Sequence, residues 1–415
     1  LVFHAAGGKL FGFVVSGQNL HAWGLGDARG AERAVAEFLR ALGNYGSKRE
    51  MATAELAAGD WRAASADIFA KLFAESRFDV ANTKRLAIVP EGCLWYLPFE
   101  ALAMPGANPP AVLLDRMPVH YGPTAGLTVG DARPFRRLQH TGIVANRLGS
   151  EAASAGKDAA VAPIEEVVVG PVRLVPPLAA PGYLFASLLD GLVVLDEVEL
   201  DRNDAYGWSP LPKSRGRNAD SLSLWMGLPY DGPERVVLVG FPTAAESGLR
   251  GSRRGEAAPP GTDVFQAVCG LMASGARTVL LSRWRTGGQM NLQLVREFVQ
   301  ELPHGSAADA WQRSVMIAQE TPLDPSQEPR LKKLDEGVEP PGAEHPFFWA
   351  GYLLVDTGTG VADATAAEAN GVGESVDATD AGAENNTGQG SPAVPPQGDF
   401  QESRPADSST RASDH

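Results

Sequence analysis

Thiols and imidazoles are the side chains best suited to nucleophilic and proton-transfer chemistry near neutral pH, and this chain of 415 residues is sparing with both. Its two cysteines are Cys93, after a Pro90-Glu91-Gly92 turn, and Cys269, inside an apolar helical pattern. Two cysteines exclude a disulfide framework and a Cys-rich metal site. The histidines (His4, His21, His120, His140, His304, His345 and His415) are scattered, and no two have ligand spacing. No metal and no cofactor are therefore expected.

Other groups could do chemistry from loops. Ser247 stands in Ala-Glu-Ser-Gly, which is not the Gly-x-Ser-x-Gly nucleophile elbow. Thr243 and Glu246 have the spacing of a capping box, in which the hydroxyl and the carboxylate each satisfy one end of a helix start. Arg283, Arg285, Gly287 and Gly288 follow one apolar run and precede a helical pattern. Glycines before a helix can present backbone N–H groups to an anion, and the arginines would assist. The Lys-Ser/Thr ending of a phosphate loop is absent. Asp190, Asp196 and Glu197 form an acidic group beside another apolar run.

These residues must be positioned by regular elements. LFGFVVS and LHAWGL around Gly17-Gln18-Asn19 predict a hairpin. Ala31, Val35, Phe38, Leu39 and Leu42 share a helical face, and a second helix runs from Trp61 to Phe73 with Asp60 as its N-cap. Leu86 to Val89, Arg116 to Tyr121, Thr141 to Asn146, one or two runs within 181–201, and Arg235 to Val239 read as strands. The RVVLV run ends abruptly at Gly240-Phe241-Pro242. It is apolar throughout, as a strand buried on both faces requires. Helices from Thr262, from about Gly288 and after Ser306 follow, with ARTVLLS as a strand between the first two and a closing strand in HPFFWAGYLLVD. Alternation of strand and helix implies an α/β fold with a largely parallel sheet.

Three spans follow: 1–80 with the hairpin and helices, 81–356 as the core with insertions at 150–181 and 201–233, and a tail at 357–415. The tail is rich in Ala, Gly, Asp and Glu and is expected to be disordered. It also carries much of the net charge of −14, with ten acidic residues against two arginines after Val361. The rest is mildly acidic, so nucleic-acid binding is not expected. No uncharged apolar window is long enough to span a membrane. The chain starts at Leu1 rather than Met and reads as a piece of a longer protein. With no signal or membrane segment in it, a cytoplasmic setting is favoured.

LAIVPEGCLWYLPFEAL (86–102), LLDRMPVHYGPTAGL (113–127), GLMASGARTVLLSRW (270–284), LVREFVQEL (294–302) and HPFFWAGYLLV (345–355) occur in an order that resembles the CHAT domain. That family is a bacterial and eukaryotic branch of the caspase-like, separase-type cysteine peptidases, often fused to tetratricopeptide repeats. The resemblance implies a caspase-like three-layer α/β/α sandwich and a histidine–cysteine dyad after two central strands. The imidazole would move protons, the thiolate would attack a peptide carbonyl, and backbone N–H groups would hold the oxyanion.

On that alignment the cysteine position falls on Phe241. The histidine position falls at about Leu188, in LFASLLDG (184–191). No histidine lies between His140 and His304, so no shift of register supplies one. In a relative with basic specificity, Asp190, Asp196 and Glu197 would line the pocket. The expected function is a pseudopeptidase that acts as an interaction or regulatory module toward a protein or peptide partner. Two alternatives stay open. One is an active hydrolase with a rearranged site that uses Cys93, or Ser247 with His120 or His140. The other is an anion or nucleotide binder through 283–288.

Overall fold

The computed structural model describes residues 1–43, 51–104, 106, 111–128, 130, 137–145, 156–175, 178, 183–200, 204–211, 220–241, 245, 249, 259–284, 288–328, 330–331 and 342–357. They all belong to one compact unit, Leu1–Thr365; the second unit, Ala366–His415, and with it nearly all of the tail at 357–415, lies outside the described residues.

The chain opens with three antiparallel strands, β1 (Val2–Ala6), β2 (Lys9–Ser16) and β3 (Asn19–Asp27). The β2–β3 hairpin is the expected one, with Ser16 opposite Asn19 and Gly17 at φ +59. A glycine at this position gives the tight turn its left-handed backbone without a Cβ clash. Strand β1 was not expected. VFHAA is too short and too weakly alternating to register as a strand, and it is held by its pairing to β2 and by the bond from Phe3 N to Val89 O, 2.9 Å.

Helix α1 (Ala28–Ala41) buries Val35, Phe38 and Leu39 on the expected face. After α2 (Thr53–Ala58), α3 (Trp61–Phe73) starts at Asp60, whose carboxylate accepts from Ala63 N at 3.0 Å. Asp60→Ala removes that cap and is expected to lower stability by about 1 kcal/mol, measured by urea unfolding.

The core is an eight-stranded sheet. Its strands are β4 (Leu86–Ile88), β5 (Val119–Tyr121), β6 (Thr141–Val144), β7 (Pro171–Arg173), β8 (Gly191–Glu197), β9 (Arg235–Gly240), β10 (Thr278–Ser282) and β11 (Tyr352–Asp356). They lie in the order β4-β5-β11-β10-β9-β8-β6-β7, and only the β10–β11 pair is antiparallel. Strands β8, β9 and β10 are buried almost end to end, which explains their continuous β-branched and leucine runs. Helices α4 (Leu113–Arg116), α5 (Gly156–Glu165), α6 (Tyr183–Ala186), α7 (Leu222–Met226), α8 (Thr262–Ala273), α9 (Gln289–Glu301), α10 (Ala307–Glu320) and α11 (Pro346–Trp349) connect them. The fold is α/β with a mostly parallel sheet, in agreement with a caspase-like α/β/α architecture. One hydrophobic cluster runs from Phe3 to Val355, so the residues before 81 share the core of those after it.

Two readings need correction. The strand expected at 184–191 is a single helical turn, α6, followed by the turn at Ser187–Asp190; the strand itself is β8, at 191–197. Asp190 locks this turn, because its Oδ2 accepts from the amides of Gln139 and His140 at 2.9 and 3.1 Å. The strand expected over 116–121 begins only at Val119, since α4 extends to Arg116.

Candidate functional site

In parallel α/β sheets chemistry gathers beyond the carboxyl ends of the strands. Here that edge follows Glu197 of β8, Gly240 of β9 and Ser282 of β10. Strand β9 ends on Gly240 for a steric reason. A Cβ there would lie 2.6 Å from the carbonyl oxygen of Asp196 and 2.7 Å from Cα of Glu197. The β8–β9 register shifts at this point, and Val198 N donates to Gly240 O at 3.0 Å.

Phe241 is the next residue and is only 1% exposed. Its carbonyl accepts from Ser282 Oγ at 2.9 Å, which ties the ends of β9 and β10 together. Its ring meets Trp208 edge-on, with centroids 5.6 Å apart. Trp208 is itself buried, and its indole N–H donates to Ala205 O at 3.0 Å. The long polar segment at 201–233 thus delivers an aromatic plug onto the end of the central strand. No nucleophile or acid–base group occupies that position.

Leu188 does not stand opposite Phe241. It precedes β8, at the amino end of the strand, and is 67% exposed. The residue that follows β8 beside Gly240 is Val198, which is buried and equally without acid–base chemistry.

The acidic group divides in the same way. Asp190 sits at the amino end of β8, whereas Asp196 and Glu197 sit at its carboxyl end, about 20 Å away at strand rise. Asp196 is buried and Glu197 exposed, as side chains on opposite faces of a strand must be. The three carboxylates do not line one pocket.

Arg283 is not available to an anion. It is fully buried, and Nη1 and Nη2 donate to the two carboxylate oxygens of Glu100 at 2.5 and 3.2 Å. Nη1 also reaches the carbonyls of Ala350, at 3.2 Å, and Tyr352. The guanidinium lies 4.9 Å from the Tyr121 ring centroid, and the Tyr121 hydroxyl donates to Glu100. Burial opposes the charge on Arg283, but Glu100 outweighs it and holds the guanidinium protonated. Burial drives the Tyr121 phenol well above its usual range.

Gly288, at φ +94, does precede a helix N-terminus, that of α9. One amide of that terminus is already taken from within the chain, because Glu328 Oε1 accepts from Met290 N at 2.9 Å. Burial raises the Glu328 carboxyl to about 7, partly offset by this bond. Arg285, Gly287, Thr243, Glu246 and Ser247 lie outside the described residues.

The two thiols are poor nucleophiles. Cys93 is buried in the 3-10 turn Gly92–Tyr96, and burial, aided by the charge of Glu32, pushes its thiol up to about 12. Cys269 is half-buried in α8, and burial raises its thiol as well. Neither is a thiolate near neutral pH.

The imidazoles lie elsewhere. His120 is on β5, three strand spacings or about 14 Å across the sheet from β9. His140 is exposed at the amino edge, where its carbonyl accepts from the amides of Asp190 and Gly191. Among the described residues no group of three His, Cys, Asp or Glu side chains could hold a metal ion. No described helix is long and apolar enough to cross a membrane.

Three residues that organise this region escape motif reading: Glu100, Tyr121 and Trp208. Glu100 carried a usable signal, since a lone carboxylate in the apolar run LWYLPFEAL must find a buried partner. A search of curated proteins finds no match. The family comparison places the strand that bears Phe241 within a known domain: over residues 221–357, about a third of the chain and the stretch from α7 through β11, this protein matches the CHAT domain.

Proposed function

We propose that this CHAT-type, caspase-like body is a pseudopeptidase, a module that acts by binding a protein or peptide partner rather than by cleaving one. The observation that carries this reading is Phe241. The residue after the central strand, where the family resemblance expects a thiolate, is a buried ring packed under Trp208. A thiolate nucleophile needs an adjacent base and a lowered pKa. Cys93 and Cys269 have raised values instead, and neither lies on β8, β9 or β10.

The test is turnover. The purified chain, incubated with a positional-scanning library of fluorogenic peptides, is expected to release no fluorophore above a buffer control. Thiol-dependent turnover that Cys93→Ser or Cys269→Ser abolishes would overturn the proposal.

A further inference from the structure

The three-stranded sheet offers a second place to look, far in sequence from Phe241. Strand β3 is its outer strand and pairs with β2 alone. Ser16 and Asn19 close the two-residue turn, so bonded and non-bonded pairs alternate from there. By that count Leu20, Ala22 and Gly24 turn their backbone N–H and C=O groups outward. This edge is open among the described residues: Leu20 is 68% exposed, and Ala22 and Gly24 are exposed as well. An edge strand left open in this way is a template for another strand.

Beside the edge lies a groove of about 530 Å³, between β3, α1 and α3. Leu25 and Ala31 give it partly exposed apolar surface, above a base of buried Ala34, Ile68, Leu72 and Leu94. The volume falls within the range of about 300–1,000 Å³ typical of ligand pockets. Asp27, Arg33, Glu37 and Lys71 also line it. None of the four forms an ion pair within the described residues. Two charges of each sign around an apolar trough complement a segment with an apolar centre and charged flanks of both signs.

Strand and groove adjoin one another. Leu25 is the extra residue of a bulge between Gly24 and Gly26, and with Asp27 it lines the groove, so a strand paired along Leu20–Gly24 would run on over the trough. We propose that β3 and this groove together receive an extended peptide segment of a partner protein, with large apolar residues at alternate positions and charged residues flanking them. The proposal rests on the reading of the chain as an interaction module and gives that module a surface. The two fail separately: peptide turnover in the assay above would remove the first and leave the groove untouched.

The test pans a phage-displayed library of random decapeptides on the full chain, then titrates synthetic versions of the recovered sequences by fluorescence anisotropy. Two substitutions are compared with the parent. Ala22→Pro removes an outward N–H from the edge, a place where strands tolerate proline, and Ala31→Trp fills the groove. The expected result is enrichment of alternating apolar sequences whose binding each substitution weakens about tenfold or more, with unchanged thermal midpoints. Hydrogen exchange supplies a check that needs no variant: the amides of Leu20, Ala22 and Gly24 exchange freely in the chain alone and slow when the peptide is bound. The proposal is overturned if no sequence is enriched, if binding ignores both substitutions, or if those amides are already protected in the free chain. It is equally overturned if sedimentation shows a dimer that Ala22→Pro dissolves, because the edge would then belong to a second copy.

Discussion

Arg283→Met is expected to lower the unfolding free energy by about 3–5 kcal/mol, the range for removing one partner from a buried ion pair. The size follows from what the substitution strands. Glu100 is 2% exposed, and its carboxylate accepts from Arg283 and from the Tyr121 hydroxyl. Without the guanidinium, a carboxylate remains in a dry site with one phenol to answer it, and the carbonyls of Ala350 and Tyr352 lose a donor. Four separate segments meet at this side chain: the end of β10, the turn that carries Glu100, the end of β5 and the start of β11. The loss should therefore appear in the global unfolding transition and not as local fraying. Arg283→Met combined with Glu100→Leu is expected to recover much of the loss, since apolar replacement of both partners removes the uncompensated charge. Guanidinium chloride unfolding of the parent, both single variants and the double variant closes the cycle. A single-variant loss below about 1 kcal/mol would mean that the pair is solvated and weak, as surface pairs are.

That network also marks where sequence reading stops. The elements themselves were legible because local patterns cause them. The runs of β9 and β10 match full burial, the 3.6 period of α1 names its buried face, and Asp60 and Ser306 cap the helices they precede. Strand β8 was misplaced because LFASLLDG and GLVVLDE are equally apolar; only the turn locked by Asp190 separates the helical turn from the strand. Side-chain partnerships across the fold carry no local signature at all. Glu100 and Arg283 are 183 residues apart, and Trp208 reaches Phe241 from a loop with no periodicity to read. Arg283 looked like a surface cation because it follows a strand and precedes glycines. Its real environment is set by β11, which arrives 69 residues later and turns antiparallel against β10.

His120, His345 and Glu328, three buried groups, are together expected to cost the body about 3 kcal/mol of stability between pH 7 and pH 4. His120 and His345 are both buried, and burial lowers each imidazole from 6.5 to about 4, with Arg85 and Arg62 respectively as the next cause. The unfolded chain takes up these protons near pH 6.5 and the folded chain does not, so their stability is complete above 6.5 and is lost as the pH falls toward 4. Each loss is worth about 3 kcal/mol, from a shift of about 2.5 pH units. Glu328 works in the opposite sense. Its carboxyl is raised from 4.5 to about 7, so the folded chain binds the proton first and gains about 3 kcal/mol as the pH falls through that window. Two losses against one gain leave the net figure. His345→Asn keeps an acceptor for Phe347 N, which His345 Nδ1 now provides at 3.1 Å, and is expected to reduce the acid loss by about 3 kcal/mol relative to the parent. Glu328→Gln keeps a carbonyl for Met290 N and is expected to increase the acid loss by about 3 kcal/mol relative to the parent, because its offsetting gain is removed. Urea unfolding of the three proteins at about pH 7 and about pH 4.5 reads these differences directly, since every other titrating group is common to all three and cancels. If the three slopes coincide, neither His345 nor Glu328 titrates differently in the folded chain. If only the Glu328→Gln slope departs, the carboxylate is buried as described but His345 is open to water.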